Sequence, residues 1–112
     1  IEYHEQALQI DREIGDRRGE GAALGNLGNA YGSLGEYRRA IEHYELQLGM
    51  TREIGYRSGE GNALFNMSLA LDKLGDRKKA IEHAEAALRI FEEIEAPWVP
   101  KIRKQLEEWR SD

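Results

Sequence analysis

Residues 24–35 read LGNLGNAYGSLG, and this stretch decides the fold. Its large apolar residues Leu24, Leu27 and Tyr31 follow one another at spacings of three and four, which places them on one face of an α-helix. Gly35 then interrupts the helix. Forty residues later, residues 64–75 read LFNMSLALDKLG, with an apolar residue at each equivalent position and the same closing Leu-Gly. One helical unit is therefore used twice.

The repetition extends through nearly the whole chain at a period of 40 residues. Ile1-Glu2 recurs as Ile41-Glu42 and again as Ile81-Glu82. A fixed period of this length is typical of a solenoid, because each unit stacks on its neighbours to bury an apolar face that it cannot cover alone. We expect an all-α fold, and no alternating β-branched run predicts a strand. The predicted helices are residues 1–14, 16–34, 36–54, 56–74, 76–95 and 98–110.

Glycines mark the boundaries between units. Gly15 and Gly55 suit the left-handed residue that closes a helix. Asp16 is able to cap the next helix with its side chain, whereas Tyr56 at the equivalent place is not. These boundaries predict one domain with four parts: the second helix of an incomplete unit (1–15), two full units (16–55 and 56–96) and a capping helix (97–112).

The two ends of the stack are predicted to differ. In the last helix, Ile102, Leu106 and Trp109 form a narrow apolar stripe that should cover the helix at 76–95, chiefly Ile81, Ala84, Leu88 and Phe91. Trp98 and Trp109 are assigned to this packing rather than to a ligand cage. The first helix shows no such cap. We expect its side bearing Ile1, His4, Ala7 and Leu8 to face solvent or another molecule, and further repeats to precede it in the intact protein.

Composition limits the classes of function. The formal net charge of −5 argues against nucleic-acid binding, because phosphate neutralisation needs a basic surface. The short basic clusters lie beside acidic residues and are assigned to solvated helix ends. The chain has no cysteine, which excludes disulfides and thiolate sites and suits the cytoplasm. No uncharged run is long enough to span a bilayer, so no membrane association is expected.

Several residues of the two units match a known signature. Leu24-x-x-Leu27-Gly28-x-x-Tyr31 followed by Ala40-x-x-x-Tyr44 resembles the tetratricopeptide repeat, with Leu24 where Trp is commonest. The second unit follows the signature more loosely. A period of 40 rather than 34 is similar to the repeats of Leu-Gly-Asn-type G-protein-signalling modulators, kinesin light chains and many bacterial regulators. The resemblance implies a right-handed superhelix of antiparallel helix pairs, whose first helices line a concave groove for a peptide or helix of a partner.

The groove implied by this resemblance lies on the face opposite Leu24, Leu27 and Tyr31. Side-chain amides there offer both donors and an acceptor to a partner's backbone, and Phe65 with Leu69 forms an apolar ledge. For Asn26, contact with a partner and an intrahelical or inter-repeat hydrogen bond remain equally open. The predicted partner-binding residues are Asn26, Asn29, Asn62, Phe65, Asn66, Leu69, Asp72 and Lys73.

The glycines of the first unit carry a separate expectation, because each costs roughly 1 kcal/mol relative to Ala inside a helix. Only Gly28 is explained by packing within the unit. Gly25 and Gly32 either leave room for a partner or allow the next repeat to approach closely. Gly25 also stands where carboxylate-clamp domains carry a Lys, so recognition of an acidic C-terminus is not expected.

No pattern of residues predicts catalysis. His43 and His83 recur with the structural unit, as packing at a helix surface would require, and no His-Glu-x-x-His spacing exists for zinc. We therefore expect no metal and no cofactor. The leading hypothesis is a non-catalytic binding module, part of a longer adapter or regulatory protein. The rival is a structural scaffold that acts by end-to-end stacking, with self-association through the uncapped first helix.

Overall fold

The structure, a computed structural model, describes residues 1–111, and these residues form six α-helices and no strand. Every predicted helix is present, with its ends displaced by at most two residues. The stack of helices measures 46 × 31 × 18 Å. The helices are α1 (Glu2–Ile14), α2 (Arg17–Ser33), α3 (Tyr37–Ile54), α4 (Arg57–Lys73), α5 (Arg77–Glu93) and α6 (Val99–Ser111).

The helices pack as antiparallel neighbours in chain order. The pairs α2–α3 and α4–α5 make the most extensive contacts, and α3 joins the two pairs by packing on α4. The first helices of the two pairs, α2 and α4, run parallel and touch each other. At the two ends of the stack, α1 packs on α2 and α6 packs on α5.

The helix ends follow the sequence signals. Gly15 and Gly55 adopt left-handed backbone angles, with φ of 75° and 70°. The Oδ1 atom of Asp16 accepts a hydrogen bond of 2.9 Å from the backbone N–H of Gly19, which satisfies one of the free donors at the start of α2. Tyr56 makes no side-chain cap at the start of α4. These expectations are confirmed.

Close packing within the first pair of helices depends on two glycines. A Cβ atom at Gly28 would lie 2.5 Å from the ring of Tyr44, and one at Gly25 would lie 2.6 Å from the side chain of Gln47. The expectation that only Gly28 is explained within the unit is therefore wrong, because Gly25 makes room for Gln47 of the same unit. Gly32 has no atom within 4 Å of the corresponding position, so the next repeat does not approach it.

In the second pair of helices the larger side chains lie on the first helix, α4, rather than on the second. Where α2 has Gly25 and Gly28, α4 has Phe65 and the buried Ser68. Where α3 has Gln47 and Tyr44, α5 has Ala87 and Ala84, both fully buried. The first unit thus carries its large residues, Tyr44 and Gln47, on its second helix, whereas the second unit carries Phe65 on its first helix. This exchange gives the two units different surfaces on α2 and α4.

The C-terminal end of the stack is closed as predicted. Ile102, Leu106 and Trp109 of α6 are 0%, 1% and 6% exposed. They belong to one core cluster with Ala84 and Phe91 of α5, against which Ile81 and Leu88 also pack.

The N-terminal end differs from the expectation for Ala7 and Leu8. Leu8 is buried and Ala7 is half-buried, because both pack on the core formed by Leu24 and Leu27 of α2. The expectation that this side of α1 faces outward is wrong for these two residues. The exposed apolar residues lie on another stripe of the helix, made by Tyr3, Ile10 and Ile14, with Ile1 partly exposed beside it.

Candidate protein-binding groove

The helices α2, α4 and α6 line a groove that contains three cavities. The first cavity, of about 320 Å³, lies between α2, α3 and the start of α4. The second, of about 440 Å³, lies between the C-terminal halves of α2 and α4 and is bordered by α3. The third, of about 300 Å³, lies between α4, α5 and α6. Asn66 lines all three cavities, which connects them into one surface.

The first cavity has a polar floor made by Asn29 and Gln47, and Asn29 is held by Tyr44, which lines the second cavity. The hydroxyl of Tyr44 donates a hydrogen bond of 2.6 Å to Oδ1 of Asn29. Burial raises the pKa of Tyr44 to about 12, so the hydroxyl remains a donor over the ordinary pH range. Because the oxygen of Asn29 is engaged, its Nδ2 group is the part left for a partner. The oxygen of the Asn29 amide is thus engaged within the unit, and its nitrogen is not.

Gln47 supplies the complementary group. Its side chain is 9% exposed, and its Oε1 atom is buried without a hydrogen-bond partner among residues 1–111. An unmet buried acceptor costs about 1–3 kcal/mol, so in this cavity the Oε1 atom needs a donor, either from water or from a ligand. The floor therefore combines one free acceptor, on Gln47, with one free donor group, on Asn29.

The other predicted asparagines border the same cavity. Asn26 and Asn62 are exposed and Asn66 is half-buried, and all three line the first cavity. Within the described chain none of them makes a side-chain hydrogen bond, so neither the intrahelical nor the inter-repeat bond left open for Asn26 is formed. Their amide groups are available to a partner.

The apolar ledge lies on the wall of the third cavity. Phe65 is half-buried against the core of the second unit, and Leu69, one turn further along α4, is 37% exposed. Trp98, from the connection between α5 and α6, completes the ledge and packs edge-to-face on Phe91, with ring centroids 5.5 Å apart. The assignment of Trp98 to packing alone is incomplete, since 39% of this residue is exposed on the cavity wall.

Asp72 and Lys73 occupy different places. Asp72 accepts a hydrogen bond of 2.7 Å from Nε of Arg77 at the start of α5, and it lines none of the three cavities. Lys73 lines the second cavity beside Leu69. Of the eight predicted partner-binding residues, seven therefore border the groove, and Asp72 is engaged in an ion pair beside it.

Gln47 and Trp98 are residues of this surface that the sequence interpretation did not place in the groove. The positions equivalent to Gln47 hold Ala7 and Ala87, so a polar residue at an otherwise apolar position of the repeat was the available signal. Trp98 lies outside the repeat, where the periodic pattern gives no position to compare.

The histidines make structural contacts. Nδ1 of His43 lies 2.8 Å from the carbonyl oxygen of Arg39, and Nδ1 of His83 lies 2.8 Å from that of Lys79. In residues 1–111 no group of three or more His, Cys, Asp or Glu side chains is placed to hold a metal ion. In the same residues no helix combines the length and the apolar character needed to cross a membrane.

Comparisons with known proteins agree with this architecture. The tetratricopeptide repeat model matches residues 1–53, and a second tetratricopeptide repeat model matches residues 61–94. The human G-protein-signaling modulator 1 is 50% identical over 40 residues, which are 36% of this chain and 6% of that protein. The crystal structure of the apo form of RapI superimposes with a TM-score of 0.91 over 98% of this chain, at 24% identity, so that likeness concerns the fold.

Stacked antiparallel helix pairs, with a groove between the first helices of the pairs, define a helical-repeat protein of the interaction class. Within that class the chain belongs to the tetratricopeptide repeat family. This family is generally a non-catalytic protein-interaction fold, and its repeats support a protein–protein interaction module in this chain. The chain spans 6% of the modulator and 40% of the RapI chain, less than two thirds of either.

Proposed function

We propose that the groove between α2 and α4 binds a peptide segment of a partner protein. The observation that carries the proposal is the buried, unpartnered Oε1 atom of Gln47 beside the free amide group of Asn29. A peptide unit offers one N–H donor and one C=O acceptor. The polar floor presents the complementary acceptor and donor, and Asn26, Asn62 and Asn66 extend the same chemistry along the groove.

The apolar ledge supplies the second part of the proposed binding mode. Full burial of a large apolar side chain contributes about 1.5–3 kcal/mol, and such anchors dominate the energy of many interfaces. Leu69 and Trp98 leave more than a third of their surface exposed on one cavity wall, which the buried Phe91 and Ile102 also line. An apolar residue of the partner would cover this surface while its backbone is held on the polar floor.

The test begins with a peptide selected by display of a random 12-residue library on the immobilised protein. Its affinity is then measured by calorimetry for Gln47→Met, which keeps the volume of the side chain and removes the acceptor, and for Leu69→Ser. We expect Gln47→Met to weaken binding about 5- to 100-fold, because an N–H of the peptide is left unpaired. Leu69→Ser should weaken it about 10-fold.

The matched control is Leu34→Ser. Leu34 is 63% exposed at the end of α2 and lines none of the three cavities, so its loss should leave affinity unchanged. Circular dichroism at 222 nm establishes that all variants remain helical. Full affinity in both groove variants would show that the peptide binds elsewhere and would refute the proposal.

A second candidate function is assembly through α1. The exposed stripe of Tyr3, Ile10 and Ile14 favours it, since a contiguous apolar surface of this kind often marks an interface. In the second unit the residue equivalent to Ile10 is Ile90, which is only 6% exposed. Sedimentation over a range of concentrations should then show self-association that Ile10→Lys abolishes. A monomer at every concentration would exclude this function for the isolated chain.

A further inference from the structure

We infer that the partner segment is acidic. The inference rests on the proposed peptide-binding function and names the chemistry of the peptide. The chain has 21 acidic and 16 basic side chains, so an average surface patch would be negative. The three cavities of the groove show the reverse, because no Asp or Glu lines any of them. Their charged lining residues are Arg17, Arg18, Lys73 and Lys101.

Three of these four cations have no carboxylate to neutralise them. Arg17 is paired with Glu20 and Glu53. Arg18 lies over the ring of Tyr56, with its guanidinium carbon 4.2 Å from the ring centroid. Within residues 1–111, Arg18, Lys73 and Lys101 form no ion pair. The groove of an acidic protein is therefore a region of uncompensated positive charge.

The positions of these cations suggest where the carboxylates of a partner would lie. Arg18 is in the first turn of α2, and Lys73 is the last residue of α4. The position equivalent to Arg18 on α4 is Ser58, so the two cations are separated by about 22 Å along the parallel helices, at 1.5 Å per residue. An extended peptide covers this distance with about six or seven residues. The third cation, Lys101, borders the apolar ledge in the third cavity.

The occupant that fits this arrangement is a short segment with an apolar anchor and acidic side chains on both sides of it. The carboxylates of the segment would pair with Arg18 at one end and with Lys73 or Lys101 near the ledge. Complementary charge of this kind favours association and rejects basic segments, because like charges at an interface are unfavourable. A carboxylate clamp for a chain terminus is not required, because the acidic groups belong to side chains within the segment.

The experiment uses the display selection described above and reads the charge of the enriched peptides. Enrichment of peptides with at least two Asp or Glu residues around an apolar residue supports the inference. Enrichment of neutral or basic peptides overturns it and leaves the proposed peptide-binding function intact. No enrichment over an empty support would overturn the proposed function itself, and the inference with it.

The contribution of the three cations is measured with two variants of equal charge. The groove variant combines Arg18→Gln, Lys73→Gln and Lys101→Gln. The control variant combines Arg38→Gln, Lys78→Gln and Lys104→Gln, which removes the same charges from exposed positions outside the three cavities. We expect the groove variant to bind a selected acidic peptide about 3- to 100-fold more weakly than the control variant, with a smaller dependence on salt. Equal affinities in the two variants would overturn the inference.

Discussion

The contact between Gly28 and Tyr44 allows a direct test of the exchange of bulk between the two units. In the second unit the equivalent positions hold Ser68 and Ala84. Transplanting that pair requires two substitutions, Gly28→Ser and Tyr44→Ala, which are made singly and together. The question is whether the two residues are energetically coupled.

The magnitudes follow from the geometry. A Cβ atom at position 28 would lie 2.5 Å from the ring of Tyr44, which is only 5% exposed and has little room to move. Overpacking of this kind costs about 1–3 kcal/mol, partly offset by about 0.5 kcal/mol because Ser is a better helix former than Gly. Tyr44→Ala alone removes a large buried side chain and should cost about 3–5 kcal/mol. In the double variant no ring remains for the serine to meet.

We therefore expect a favourable coupling free energy of about 1–3 kcal/mol between the two substitutions. The assay is equilibrium unfolding in urea, followed by circular dichroism at 222 nm, for the wild type, both single variants and the double variant. The control cycle pairs Gly32→Ser with Tyr44→Ala. Gly32 has no atom within 4 Å of the added Cβ, so this cycle should be additive. Additivity within about 0.5 kcal/mol in the Gly28 cycle would refute the account of the exchange.

Two further predictions concern stability. Burial raises the pKa of Tyr44 from 10.0 to about 12, because the folded state favours the neutral hydroxyl. The contribution of this hydroxyl to folding stability is therefore complete below pH 10 and is lost as the pH rises to about 12. Between pH 10 and pH 12 the free energy of unfolding in urea should fall by about 2 kcal/mol more for the wild type than for Tyr44→Phe. Equal decreases in the two proteins would contradict burial as the cause of the pKa shift. Trp109→Ala should lower the free energy of unfolding by about 3–5 kcal/mol, because Trp109 is only 6% exposed. Trp98→Ala should lower it less, because Trp98 is 39% exposed. Equal urea midpoints for the two variants would contradict this ranking.

The fold could be predicted from the sequence because its signals are local and repeated. The spacing of Leu24, Leu27 and Tyr31 marks a helix face, and Gly15 and Asp16 mark where one helix ends and the next begins. Each signal occurs again 40 residues later, apart from the cap at Tyr56. The stripe of α6 was equally visible, because all of its apolar residues lie on one side.

The details of the groove depend on contacts between helices, and the sequence could not specify them. Gly25 was an unexplained glycine until Gln47, 22 positions away, was seen to fill its place. The hydrogen bond from Tyr44 to Asn29 likewise joins two helices. For Ala7 and Leu8, the helical pattern identified an apolar side of α1 but did not show which neighbour covers it.

The ion pairs at the junctions between units form the same chain of contacts twice. Arg12 pairs with Glu20, Glu20 with Arg17, and Arg17 with Glu53. The second copy, with every number raised by 40, joins Arg52, Glu60, Arg57 and Glu93.

A duplication of the 40 residues that begin at Asp16 would therefore recreate every charge contact at the new junction. A duplication one residue longer or shorter would change the length of the connection between Gly55 and the copied Asp16, and would displace the pair that spans it, Arg52 with the copied Glu20. The ion pairs at the junctions thus favour a change in the length of the array by whole 40-residue units over a change by any other number of residues.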